Sequence, residues 1–288
     1  MFARSMILSA KQRLGLSGCA LAALVLVVLT AACASSSSRQ STAEALTAIL
    51  AGDQRPPEER ARDVYRHPKE TLLFFGIRPE MKVLEVWPEP GWYTAVIAPL
   101  LREKGKYYAA VIADDPSSKY ITRRLEEYRG RLAARPDVYD RVTVVSFPAG
   151  GGDAVAAGSV DMVVTFRNIH NWMARDQAAQ AFRTMFRALK PGGVLGVVEH
   201  RGNPAVPQDP KAKSGYVNED YAIRLIEEQG LRLVAKSEVN RNPNDTKDYE
   251  QGVWTLPPTY RLGAKDHDKY AAIGESDRFT LLCVKPAR

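Results

Sequence analysis

Hydrophobic and polar positions change rhythm twice along this chain. From Cys19 to Ala32 almost every residue is apolar, and the serine-rich stretch from Ala34 to Ser41 that follows offers no apolar face to bury. Residues 43–50 and 58–75 then repeat apolar side chains at helical spacing, the second ending at Phe74-Phe75-Gly76, where the glycine suits a C-cap. From Met81 onward, short apolar runs alternate with helical stretches. The runs predict strands over Lys82–Val86, Tyr107–Ala113, Val142–Phe147, Val160–Phe166, Val194–Glu199, Leu231–Val239 and Phe279–Val284. Near-continuous apolar strands separated by helices mark a largely parallel sheet with helices on both faces.

Local signals refine this outline. Ala178, Phe182, Met185, Phe186 and Leu189 share one helical face, and Lys190-Pro191-Gly192-Gly193 stops that helix and turns the chain. Asp115-Pro116 reads as the N-cap and first turn of the helix after the second strand. Residues 240–276, rich in Pro, Asn and Tyr, have little periodicity. A segment that long inside a compact domain is expected to act as a lid or substrate wall.

Composition adds the N-terminal assignment. Arg4, Lys11 and Arg13 precede the apolar run, giving the charge pattern of an export signal that is too short to span a bilayer comfortably. The run ends at Leu29-Thr30-Ala31-Ala32-Cys33, which resembles the lipobox of bacterial lipoproteins and implies acylation of Cys33. Ordinary cleavage after Ala34 is the other reading. The domains are therefore residues 1–32 as signal peptide, 33–42 as tether and 43–288 as the folded domain with a helical N-terminal extension. The expected location is outside the cytoplasm, lipid-anchored to a membrane or soluble in the periplasm. Loss of the three basic residues lowers the formal charge from +7 to +4, too mild to suggest nucleic acid. Cys283 lies in an apolar run and reads as a buried structural thiol.

Parallel sheets bind ligands beyond the carboxyl ends of their strands, beside the point where strand order reverses. The first strand runs into Glu85-Val86-Trp87-Pro88-Glu89-Pro90-Gly91-Trp92-Tyr93-Thr94. This segment resembles the cofactor loop of class I S-adenosylmethionine-dependent methyltransferases. It is nearer still to a family of bacterial predicted methyltransferases whose loop reads W-P-G-G-G-W-Y-T. Further motifs of that family appear in order: Arg66-His67-Pro68, Thr165-Phe166-Arg167-Asn168-Ile169-His170-Asn171-Trp172, Lys190-Pro191-Gly192-Gly193, Glu199-His200-Arg201, Gly252-Val253-Trp254-Thr255-Leu256-Pro257-Pro258 and Gly274-Glu275-Ser276-Asp277-Arg278.

The resemblance implies a Rossmann-like α/β fold with a seven-stranded, mostly parallel sheet, and S-adenosylmethionine as cofactor. It implies cofactor contacts from Glu85, Trp87, Pro88, Gly91, Tyr93, Thr94 and Arg167. Asp114, or else Asp115, stands where an acidic residue accepts hydrogen bonds from the ribose hydroxyls; Asp114 is favoured because Asp115 is the expected N-cap. Glu89 and Pro90 replace two glycines of the nearer family, and a carboxylate with a rigid φ is expected to hinder the cofactor there.

Continued alternation past Phe166 turns Asn168 and His170 toward the cleft, with Trp172 as a wall. A neutral imidazole suits removal of a proton from the methyl acceptor. Glu199 and His200 close the fifth strand, and one of them is expected in the same cleft, so His170, Asn168 and Glu199 are the catalytic candidates. Arg66, His67, Asp277 and Arg278 are expected to form an ionic cluster of architectural kind. The four histidines show no metal-ligand spacing, so no metal is expected. A G-x-S-x-G elbow and a dinucleotide-binding G-x-G-x-x-G are both missing. The leading function is methyl transfer to a small-molecule or surface-associated acceptor, with no nucleic acid as partner. The rival is a non-catalytic binding module on the same fold.

Overall fold

A computed structural model describes residues 38–287. Seven strands form one sheet in the order β3-β2-β1-β4-β5-β7-β6. They are β1 (Lys82–Val86), β2 (Lys106–Ile112), β3 (Thr143–Phe147), β4 (Val160–Phe166), β5 (Leu189–His200), β6 (Arg232–Ser237) and β7 (Arg278–Val284). The first five pair in parallel, and β7 inserts antiparallel between β5 and β6. Strand order reverses between β1 and β4, so the crevice above that pair is where a ligand belongs.

Alternation along the strands supplies one apolar set to each face. Leu84, Val86, Val163, Leu195, Val197 and Leu281 pack under Trp172, Phe182, Met185 and Ile226 from α8 (Ile169–Ala174), α9 (Ala178–Ala188) and α10 (Glu219–Glu227). Val83, Ala109, Val111, Met162 and Val164 pack on the other face. There they meet Leu46 of α1 (residues 38–51), Phe75 of α4 (Pro68–Phe75), Ile97 of α5 (Thr94–Leu101) and Tyr128 of α6 (Lys119–Ala134). Cys283 is 1% exposed, and burial pushes its thiol up to about 12, as expected of a structural cysteine.

Several boundaries differ from the sequence reading. The stretch 58–75 breaks into α2 (Pro57–Arg60), α3 (Asp63–Arg66) and α4, because His67 adopts φ 38° ahead of Pro68, a position where the helical conformation is disfavoured. Helix α1 begins at residue 38, inside the serine-rich stretch read as tether. The N-cap of α6 is Ser118, whose hydroxyl accepts from Ile121 N, while Asp115 instead accepts from the backbone and hydroxyl of Ser117. Strand β5 starts at Leu189 rather than Val194: Leu189 pairs with Val160, and a register shift then carries Met162 opposite Val194. A 3-10 turn (Gly252–Thr255) and α11 (His267–Ile273) interrupt the long segment read as lid or wall. The proposed signal peptide and Cys33 lie outside the described residues. No helix among the described residues is long and apolar enough to cross a membrane.

Candidate functional site

Strands β1 and β4 end alike. Trp87 and Arg167, the residues just past them, both adopt left-handed backbone, with φ 51° and 63°. Each is held there by its own N–H, Trp87 donating to Ala110 O at 2.8 Å and Arg167 to Val198 O at 2.7 Å. Both side chains consequently face a cavity of about 520 Å³ over the switch point, within the size range of small-molecule sites. Left-handed backbone at non-glycine residues costs free energy and gathers at functional sites.

The loop after β1 forms one wall. Glu85 is 2% exposed and accepts from Tyr107 Oη at 2.6 Å. Burial pushes its carboxyl up to about 8, against the opposing effect of the Tyr107 bond. Tyr107, Thr94 and Tyr128 continue the hydroxyl chain at 2.9 and 3.1 Å. Thr94 is therefore fully buried in this network and does not line the cavity, contrary to its expected role. Tyr93 does line it, stacked on Phe166 with ring centroids 3.5 Å apart.

The departures from the glycine pattern fall differently than expected. Positive φ is needed at Trp87, which adopts it, and at Gly91, which has φ 101° and where a Cβ would stand 2.8 Å from Arg131 Cδ. Neither Glu89 nor Pro90 has positive φ; the peptide between them is cis. Glu89 Oε1 accepts from Ile112 N at 2.8 Å, and Arg124 donates to Glu89 O at 2.6 Å. The carboxylate is thus held against the carboxyl end of β2, and burial raises its pKa. Asp114, expected to serve there, is exposed and outside the cavity lining; Asp115, half-buried, lies outside it too. The chain past Ile112 runs outward to the Ser118 cap, which carries both aspartates away.

Past β4, Asn168 Nδ2 donates to Val86 O at 2.9 Å and Thr165 Oγ1 at 3.1 Å, tying the ends of β1 and β4 together. Its remaining oxygen is what it offers the cavity. His170 Nδ1 lies 3.1 Å from Glu199 Oε1, and His170 N donates to Glu199 Oε2 at 3.3 Å. Glu199 is fully buried and does not line the cavity; it acts through His170. His200 is the β5 residue in the cleft, with Nδ1 2.6 Å from Ser276 Oγ. Burial, then the neighbouring His170 and three arginines, hold His200 neutral. Trp172, expected as a wall, is fully buried against Trp87, Phe147 and Phe182.

The opposite wall comes from the 240–276 segment, from α3 and from β7. Val253, Trp254, Pro257 and Arg261 of the 240–276 segment line the cavity, as a substrate wall should. Trp254 meets the His170 ring edge-on at 5.9 Å. Arg62 and Arg66 from α3 and its N-cap join Arg278 from β7 around one buried carboxylate, Glu275. The ionic cluster expected between Arg66 and Arg278 exists, but Glu275 is its anion; Asp277 faces Arg201 and Lys247 instead. The ordered motifs around Arg66 and Gly274 were the available signal.

Residues 89–197 match the family model of a methyltransferase domain. Ribosomal RNA large subunit methyltransferase E of Acidithiobacillus ferrooxidans is 29% identical over 133 residues, 45% of this chain and 56% of the relative. The chain thus spans about half the length of the curated relatives it matches. A methyltransferase from Aquifex aeolicus described as SAM-dependent superimposes with TM-score 0.51 and 17% identity, covering 78% of this chain and 93% of that one. The fold is that of the class I S-adenosylmethionine-dependent methyltransferases. The [4+2]-cyclase SpnF shares it, with TM-score 0.53, 15% identity and coverage of 83% and 86%. S-adenosylmethionine, the cofactor expected from the sequence, agrees with the methyltransferase-domain match of residues 89–197.

One expectation is corrected and one ground for another is weakened. The relatives named as ribosomal RNA methyltransferases overturn the exclusion of nucleic acid as a partner. Net charge is a weak ground for such an exclusion, because it averages over the whole chain. The absence of ligand spacing among histidines also hid a cluster: ligand atoms of His170, Glu199 and His200 lie within 4.8 Å of one another. Spacing along the chain does not register residues brought together by neighbouring strand ends. Both Glu199 oxygens already accept hydrogen bonds there, from His170 N, His200 N and the His170 ring.

Proposed function

We propose that the chain transfers a methyl group from S-adenosylmethionine, with His170 as the base that removes the acceptor's proton. The observation that carries this reading is the His170–Glu199 pair at the mouth of the switch-point crevice. A buried carboxylate accepting from Nδ1–H fixes the tautomer that leaves Nε2 free to accept a proton, and it stabilises the imidazolium that forms. The cofactor supplies an already activated methyl group, so alignment and one proton transfer are what the protein must add.

Glu85, Trp87, Pro88 and Tyr93 are the proposed cofactor contacts, with Glu89 taking the ribose role first assigned to Asp114. Its position at the end of β2 supports this, because that is where an acidic side chain meets ribose hydroxyls in related nucleotide-binding sheets. Asn168 positions the β1 and β4 ends. For the acceptor, the relatives named for ribosomal RNA support RNA as the first class to assay.

Calorimetry with S-adenosylhomocysteine tests the reading. Micromolar binding that is lost in Glu89→Ala is expected, and no binding at millimolar ligand returns the chain to the non-catalytic alternative.

A further inference from the structure

Arg167 joins no ion pair and makes no side-chain hydrogen bond to another described residue, although it is half-buried and lines the cavity. It is not alone there. Arg66 and Arg278, each about 3% exposed, and Arg62 surround the single carboxylate of Glu275. Three guanidinium groups thus share one carboxylate, and Arg167 lines the same cavity, whose other acids are engaged elsewhere: Glu59 by Arg131, Glu89 by Ile112 N and Glu85 by Tyr107. Nη2 of Arg62 and Nε of Arg278 are buried with no acceptor. Burial, then the charge of Arg278, lowers the Arg167 pKa to about 10, which reports how crowded with positive charge this corner is. His200 and Ser276 border it, adding no negative charge.

An excess of buried cations is costly unless an anion completes it. Guanidinium forks match oxyanions geometrically, and several forks around one point suit the tetrahedral array of phosphate oxygens better than a planar carboxylate. Glu275 already supplies the one carboxylate the cluster holds. The strained backbone of Arg167 adds to the case, since the left-handed turn after β4 directs this residue into the cavity instead of onto the surface.

We propose that Arg167, with Arg66 and Arg278, binds a phosphate group of the methyl acceptor and so holds the acceptor beside His170. This rests on the methyl-transfer reading for the word acceptor, but the anion site itself does not require catalysis.

The test uses inorganic phosphate on the full chain. Phosphate is expected to raise the melting temperature saturably at millimolar concentration, beyond sodium chloride or acetate of equal ionic strength. Arg167→Gln should weaken that effect at least tenfold, and Arg167→Lys, which keeps the charge but loses the fork, should fall between. Affinity for S-adenosylhomocysteine should stay within twofold with and without 10 mM phosphate. Acetate matching phosphate would overturn the proposal. So would mutual exclusion of phosphate and S-adenosylhomocysteine, since that result assigns the arginines to the cofactor's own carboxylate. Failure of S-adenosylhomocysteine to bind at all, with phosphate still bound, would sink the methyltransferase reading and leave the anion site standing.

Discussion

His170 Nδ1 and Glu199 Oε1 stand 3.1 Å apart with the carboxylate fully buried, a pair made by the start of α8 and the end of β5. Removing the base should lower turnover by about 10²- to 10⁴-fold. His170→Gln is therefore expected to lose methyl transfer to that extent while binding S-adenosylhomocysteine within twofold. Glu199→Gln keeps a hydrogen-bond acceptor but removes the charge that favours the imidazolium. Its rate–pH profile should shift to lower pH as well as fall in height. A profile reduced in height but unmoved would make Glu199 a packing residue only.

Glu89 lines the cavity at the end of β2 and Asp114 does not, which is the ground for the proposed ribose contact. Glu89→Gln should weaken S-adenosylhomocysteine binding by about 1.5–3 kcal/mol, the size of a charge-assisted hydrogen bond. Asp114→Ala should change it by less than twofold, because that side chain is exposed and outside the cavity. The reverse ranking in calorimetry would restore Asp114 to the ribose.

Strands were legible because their apolar runs are continuous and bounded by turn residues: β1 and β4 begin and end where the pattern puts them. Glu85 and His170 were legible as site residues because strand ends over a switch point are fixed by topology. The bond from Ile112 N to Glu89 was not legible, because the sequence compares Glu89 with two glycines and says nothing of the end of β2. The ionic cluster was expected, but Glu275 as its anion and its place in the cavity wall were not, for a related reason. Arg66 and Glu275 are 209 positions apart, and the pairing that joins them depends on β7 inserting beside β5.

Gly91 is the glycine of this loop that cannot be given up. At φ 101°, with a Cβ meeting Arg131 Cδ at 2.8 Å, an alanine strains the backbone and presses on the arginine that pairs with Glu59. Gly91→Ala should cost about 1–3 kcal/mol in stability. Denaturant titration checks this, and a loss below about 0.5 kcal/mol would mean that the loop relaxes freely.

Glu85 gives the protein a pH dependence whose sign is fixed. Its carboxyl titrates at about 8 in the folded chain against an ordinary value of 4.5, chiefly through burial. Between those values the native state holds a proton that the unfolded chain has released, so stability falls as pH rises. The contribution is intact below about pH 4.5, declines by up to about 1.4 kcal/mol per pH unit, and is flat again above about pH 8. Glu85→Gln keeps the hydrogen bond from Tyr107 Oη and removes the titration. The variant should match the parent near pH 5 and exceed it in stability at pH 8, by an amount that grows across the interval. Denaturant unfolding at pH 5, 6.5 and 8 reads the difference directly, because other titrating groups cancel between parent and variant. Parallel curves for the two proteins would mean that Glu85 is already ionised in the fold, with Tyr107 and water compensating its charge.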